Sequence, residues 1–222
     1  MHTLLLRLHG PLQSWGTTSR FDERDTQLEP SKSGVIGLLC AALGRDRSEP
    51  LDDLAALRMG VRVDREGAPM RDYQTATGVL IAGSAKPDLE RTVVSPRFYL
   101  SDACFLVGLS GNDRKLLQAL HQALRVPVWP LALGRKSFAP SLPVWLPDGL
   151  VDQPLQQALR AYDSAHHPRP SHRLRLLLES DAEGAMRLDQ PLAPFAQRRF
   201  GPRSVTTEYL EDVPHAPDPV AA

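Results

Sequence analysis

Hydrophobic and polar positions along the chain divide it into short, distinct blocks. Residues 3–9 (TLLLRLH) are almost continuously apolar and are closed by Gly10-Pro11, the pattern of a buried strand. Residues 13–29 are polar and charged, so a long loop is expected there, and long loops in compact domains often bind. PSKSGVIGLLCAALG follows. Ser31 or Ser33 can cap a helix whose apolar residues run to Leu43, and Gly44 ends it. MGVRVDR over 59–65 alternates as a strand does, after a short helix closing near 54–58. MRDYQTAT over 70–77 can extend a neighbouring strand.

Residues 78–96 have two β-prone arms around a polar tip with Gly83 and Pro87, which suits an extended hairpin or a mobile arm. ACFLVGL over 103–109 reads as a central strand. Leu116, Leu117, Leu120 and Leu124 have the spacing of an amphipathic helix over 113–124. Prolines at 127, 130, 140, 143 and 147 then break the pattern. A short helix at 155–162 and strands at 172–179 and 204–210 complete the chain, and residues 213–222 read as a flexible tail.

This order predicts an α+β protein with a ferredoxin-like, RRM-like β-α-β-β-α-β core. Such a sheet carries helices on one face and leaves the other free. RNA-recognition domains use that free face for single-stranded RNA.

Composition narrows the possibilities. The 222 residues carry 26 basic and 26 acidic side chains, so a free-standing, non-specific nucleic-acid binder is disfavoured. The sum hides a gradient: 11 basic against 7 acidic residues over 61–140, and 8 against 11 over 141–222. Basic residues are 22 Arg and only 4 Lys, which fits either GC-rich coding or a need for rigid guanidinium forks. Cys40 and Cys104 lie in apolar runs and behave as core thiols, so a cytoplasmic location is expected. No window is apolar enough for a membrane span, and no membrane partner is expected.

Candidate chemistry is of the binding kind. Ser31, Lys32, Ser33 and Gly34 stand at a helix entry, where unpaired amides can hold a phosphate, although a plain Ser cap explains them equally. The Walker spacing is absent. Gly134, Arg135, Lys136 and Ser137 form a compact cationic turn, or a solvated surface turn. Trp15, beside Gln13, Ser14 and Gly16, can stack on a base or anchor its loop to the core. Arg71, Tyr73 and Thr75 share one face of their segment. The seven histidines are scattered without HxxxH or HExxH spacing, and there is no GxSxG elbow. Neither a metal, a cofactor nor a catalytic residue is expected.

LRLHGPLQSWG, PSKSGVIGLLCAALG, LRMGVRVD, MRDYQT, SPRFYLSDACFLVGL and VPVWPLALGRKSFAP together resemble the CasD family, the small RAMP-superfamily subunit of the type I-E CRISPR Cascade complex. The likeness runs over residues 3–145 and weakens toward Tyr209. It implies a ferredoxin-like RAMP domain over 1–145 with a β-hairpin thumb inserted at about 77–97. A smaller, divergent β-rich region would span 146–212, before the tail at 213–222. It implies a non-catalytic subunit that grips the 5′ handle of CRISPR RNA in antiviral defence. The subunit would touch a CasC-type backbone subunit and a CasA-type large subunit, and would meet target DNA only through the complex. The alternative is a metal-independent endoribonuclease acting on CRISPR repeat RNA. By the resemblance, RNA contacts fall on Gln13, Ser14, Trp15, Gly16, Ser31, Lys32, Ser33, Gly34, Gly134, Arg135, Lys136 and Ser137. Arg71, Tyr73 and Arg97 at the thumb base join them.

Overall fold

The structure, a computed structural model, describes residues 1–17, 23–80, 87–162 and 173–211. The first strand of the main sheet, β1 (His2–His9), is buried at all but its two end residues, as a continuous apolar run requires when both faces are covered. β1 pairs antiparallel with β6 (Cys104–Gly111), aligning Leu4 with Leu109 and Leu8 with Phe105. β6 pairs antiparallel in turn with β3 (Arg58–Arg65). β7 (Trp145–Val151) lies on the outer side of β1, and β8 (Arg173–Ser180) extends the sheet beyond β3. β10 (Phe200–Glu211) and β9 (Ala185–Pro191) follow, giving the order β7-β1-β6-β3-β8-β10-β9. A second sheet contains the two-residue β2 (Leu12–Gln13) and the long arms β5 (Pro87–Ser101) and β4 (Ala68–Leu80).

One sheet face is covered by α1 (Lys32–Leu43) and α3 (Arg114–Arg125), over a core that includes Leu4, Leu6, Leu8, Val61, Val107 and Leu109. Ser31 is the α1 cap: its extended backbone lets the hydroxyl accept from the Gly34 amide. Gly44 closes the helix at φ +71, a left-handed value that glycine takes without strain. Asp113 caps α3 by accepting from the amides of Lys115 and Leu116, and Leu117, Leu120 and Leu124 point inward.

The opposite face is also covered, which corrects the expectation of an open RRM-like surface. α4 (Leu155–Ala161) packs there on Leu5, Leu106, Leu146 and Leu176. Its seat is a pair of glycines aligned across β3 and β6, Gly60 and Gly108. A Cβ on Gly60 would lie 2.7 Å from Leu159, and one on Gly108 would lie 2.6 Å from Leu155. Absent side chains thus create the hollow that the helix fills.

The long hairpin exceeds its expected limits of about 77–97. Its first arm begins at Ala68, so the block over 70–77 is part of the hairpin, paired from Ala68↔Ser101 to Leu80↔Pro87. The segment 81–86 lies outside the described residues, as does the tail at 213–222. β7 and β9 were not expected as strands. Pro147 and Gly149 interrupt the first, and AMRLDQP in the second carries few β-branched residues; both are edge strands, where such residues are tolerated. The β-rich region beyond 145 does not stand apart: β7 joins one side of the central strands and β8, β10 and β9 join the other. A short helical stretch at Asp52–Ala55 (α2) precedes β3.

Candidate nucleic-acid interface

The two faces of the hairpin differ. Register aligns Arg71 with Phe98 and Tyr73 with Pro96, so the outer face presents a cation and two aromatic rings. Tyr73 is 65% exposed, and the Arg71 guanidinium lies 5.8 Å from the centre of the Phe98 ring. The inner face, with Asp72, Gln74 and Arg97, is half-buried.

Residues from the long polar loop and the GRKS turn meet beside the base of the hairpin. The loop lays Arg24 alongside β5: the Arg24 amide donates to the Pro96 carbonyl at 3.0 Å, and the Phe98 amide donates to the Arg24 carbonyl at 2.8 Å. Arg135 then clamps both strands, its Nη2 donating to the carbonyls of Phe98 (2.8 Å) and Arg24 (3.3 Å). Its guanidinium also sits 5.4 Å from the Phe138 ring. Burial lowers the Arg135 pKa, and the charges of Arg97 and Arg24 lower it further, with Asp72 opposing them. Three guanidinium groups therefore share one small region. Arg97 Nε is buried and, among the described residues, has no hydrogen-bond acceptor.

The turn depends on Gly134. Its φ is +91, and a Cβ there would fall 1.7 Å from the Ser14 carbonyl oxygen. That close approach lets the Ser14 amide donate to Leu133 O at 3.0 Å, while Ser14 Oγ donates to Phe98 O at 3.2 Å. Ser14 is thus a tie between the loop, the turn and the hairpin. Lys136 and Ser137 are exposed on the turn itself.

Several expected RNA contacts are turned inward. Trp15 is 1% exposed; its indole N–H donates to Gln13 Oε1 at 3.1 Å, and Gln13 Nε2 donates to the carbonyls of Leu8 and Ala103. Trp15 is the loop anchor, because its ring fills the space against Gly34, where a Cβ would lie 2.9 Å from Cε3. Gly16 is exposed and sits against Asp25. The α1 entry is closed from within. The Lys32 amide donates to Asp189 Oδ2 at 2.7 Å, and Lys32 Nζ, 2% exposed, pairs with Glu179 at 3.1 Å. Burial lowers the Lys32 pKa, and Glu179 partly restores it. Ser31 and Lys32 are buried, and Ser33 and Gly34 are half-buried. At this helix entry the Lys32 amide already holds a carboxylate and the Gly34 amide the Ser31 hydroxyl, so two of the amides that a phosphate would use are taken.

The fifteen expected residues thus separate. Ser14, Arg97, Gly134 and Arg135 converge, with Lys136 and Ser137 adjacent and Arg71 and Tyr73 on the hairpin's outer face. Gln13, Trp15, Ser31 and Lys32 are turned inward, Ser33 and Gly34 are half-buried at the same helix entry, and Gly16 is exposed beside Asp25. Arg24 and Phe98 were not among the expected contacts; a cation in a polar loop was Arg24's only sequence signal. Both thiols are buried, which pushes Cys40 up to about 11 and Cys104 up to about 12, away from thiolate chemistry. Among the described residues, no group of three His, Cys, Asp or Glu side chains is placed to hold a metal. No helix there is long and apolar enough to cross a membrane.

A family model described as CRISPR-associated protein (Cas_Cas5) matches residues 3–206. The chain belongs to the Cas5 family. CRISPR system Cascade subunit CasD of Escherichia coli (strain K12) is 32% identical over 178 residues, 72% of this chain and 76% of that protein. A solved structure described as a crystal structure of a Cas protein is 52% identical and superposes with a TM-score of 0.77, covering 97% of this chain and all of that one. A chain from a CRISPR RNA-guided surveillance complex is 32% identical with a TM-score of 0.75, covering 94% of this chain and 90% of that one. The CasD likeness read from the sequence motifs agrees with these matches.

Proposed function

We propose that this Cas5 protein is a non-catalytic subunit of a type I-E Cascade surveillance complex and that it holds the 5′ handle of CRISPR RNA. In this reading it caps the backbone beside a CasC-type subunit, touches a CasA-type subunit, and meets target DNA only through the assembly. The core is ferredoxin-like. The order β7-β1-β6-β3 is the fourth, first, third and second strand of a β-α-β-β-α-β unit, with the hairpin as the thumb between the second and third.

The observation that carries the RNA reading is the group of Arg24, Arg97 and Arg135 beside a projecting hairpin whose outer face carries Arg71, Tyr73 and Phe98. Single-stranded RNA asks for cations along its phosphates and flat faces for its splayed bases. Both are offered within one hairpin.

The test is co-expression with the companion subunits and CRISPR RNA, followed by crosslinking. The handle should crosslink to the hairpin base and the GRKS turn, and not to Lys32 or Trp15. A complex that assembles without handle contacts at this chain would overturn the proposal. Incubating the purified chain with its repeat RNA, with and without EDTA, decides the enzymatic alternative: metal-independent cleavage at a single position would establish an endoribonuclease instead.

A further inference from the structure

A second basic group lies on the α4 face, at the end of the main sheet from which the hairpin springs. Cross-strand register places Arg7 and Arg62 on either side of Leu106, and His9 and Arg65 on either side of Cys104. Directly opposed residues share a face, so these four side chains and Cys104 belong to one surface. Arg62 is accounted for. It forms a two-point pair with Asp64 (2.6 and 3.3 Å) and donates to the carbonyls of Leu159 and Tyr162 at 2.7 Å each.

Arg7 and Arg65 are different. Among the described residues neither has a carboxylate within ion-pair distance. Arg7, 9% exposed, donates Nη2 to Pro143 O at 3.2 Å, and Arg65 donates Nη2 to His9 Nε2 at 3.1 Å. The Nε atoms of both are buried and, among the described residues, without an acceptor. Buried guanidinium donors are costly to leave unmet, and few such groups persist without a role. The charges acting on Cys104 lean the same way: among the described residues, Asp64 opposes Arg65, Arg7 and Arg62.

We propose that Arg7 and Arg65 form an oxyanion site of the phosphate class at the root of the hairpin, separate from the group at Arg24, Arg97 and Arg135. Two guanidinium forks, with the nearby Asp64 committed to Arg62, match a phosphate's several acceptor oxygens, and Arg suits that geometry better than Lys. Arg65 ends β3 just before β4 begins at Ala68, and His9 ends β1 just before β2 begins at Leu12. An RNA strand held at the hairpin base passes this end of the sheet, so a phosphodiester is one source of the group and free inorganic phosphate is the other. Only the first source rests on the RNA reading above.

The test uses the full chain, with Arg65→Gln and Arg7→Lys as variants and thermal melting as the check on folding. Equilibrium dialysis against labelled orthophosphate measures the site directly, and binding of a single-stranded repeat oligonucleotide across a salt series measures the RNA source. Each variant is expected to weaken orthophosphate binding by about ten-fold, the loss that one charge-assisted hydrogen bond represents. If RNA is the source, Arg65→Gln also lowers the slope of log affinity against log salt by about 0.7. An unchanged slope with lost orthophosphate binding assigns the site to free phosphate. Unchanged orthophosphate binding together with an unchanged slope overturns the site, even if the wild-type chain binds RNA well. Wild-type protein that fails to bind RNA overturns the RNA reading alone, and the dialysis still decides the site. Should Arg65→Gln melt early, Arg65→Met removes the charge while keeping the apolar stem and serves in its place.

Discussion

The loop from Gln13 to Glu29 touches two sets of cations that received opposite treatment. At its far end Glu29 joins a compensated network: Lys32 with Glu179, Arg203 with Asp189, Arg187 with Glu29, and Arg175 with both Glu29 and Glu66. Four cations meet four carboxylates there, and the network ties α1 to β8, β9 and β10. Nearer its middle, Arg24 joins Arg97 and Arg135 with Asp72 as the acidic counterweight. In the first set charge is spent on holding the chain together; in the second it is left available. Zero net charge is therefore the sum of a cationic excess over residues 61–140, where the hairpin lies, and acidic excesses on either side of it.

Removing one member of the compensated set is the hardest test of this contrast. Asp189 is buried and accepts from the Lys32 amide (2.7 Å) and from Arg203 Nε (2.6 Å) and Nη2 (2.8 Å). Asp189→Ala strips Arg203 of both hydrogen bonds, leaving it Glu179 at 3.9 Å, and leaves a helix amide unmet, so stability should fall by about 3–5 kcal/mol in denaturant unfolding. RNA affinity of the protein that remains folded should not change. A variant that stays stable and loses RNA would reverse the roles given to the two sets.

The complementary change is Arg24→Ala with Arg135→Ala. Two lost phosphate contacts should lower the salt slope of RNA binding by about 1.4 and cut affinity on the order of 100-fold. Stability should move by about 1–2 kcal/mol, since Arg135 loses two hydrogen bonds to carbonyls at a partly exposed site. If unfolding and not RNA binding responds, the hairpin base is an internal clamp.

Much of the fold was legible because it rests on local rules. The apolar run of β1, the Ser31 cap, the Gly44 terminus and the leucine spacing of α3 each obey one. β7 and β9 obeyed none, because edge strands need neither continuous apolarity nor β-branched residues. The site was half legible for a related reason. Arg135 and Lys32 look alike in sequence: each is a cation beside a serine and a glycine. What separates them is a carboxylate 147 residues away in one case and a backbone carbonyl 111 residues away in the other. Pairings at that separation leave no mark in spacing. Trp15 was ambiguous for the same cause, because its fate depends on Gln13 Oε1 and on the bare flank of Gly34.

Trp15→Phe addresses that ambiguity with a smaller effect. The ring volume is largely kept, while Gln13 Oε1 loses its buried donor, so stability should drop by about 1–3 kcal/mol. RNA affinity should hold. Weakened RNA binding at unchanged stability would mean that the indole leaves its pocket to stack on a base.

The finest distinction lies within the turn, between neighbours of different kind. Lys136 is exposed and acts as a point charge, whereas Arg135 is half-buried and uses its fork on two carbonyls. Lys136→Gln should remove one phosphate contact, lowering the salt slope by about 0.7 with stability unchanged to within about 0.5 kcal/mol. Arg135→Lys keeps its charge and should leave the slope nearly intact, yet it gives up the link between Phe98 O and Arg24 O. Its loss should therefore appear as faster hydrogen exchange at the Phe98 amide, which donates to Arg24 O. If Lys136→Gln leaves the slope unchanged while Arg135→Lys lowers it, the turn binds through the guanidinium fork alone, and Lys136 belongs to the solvated surface.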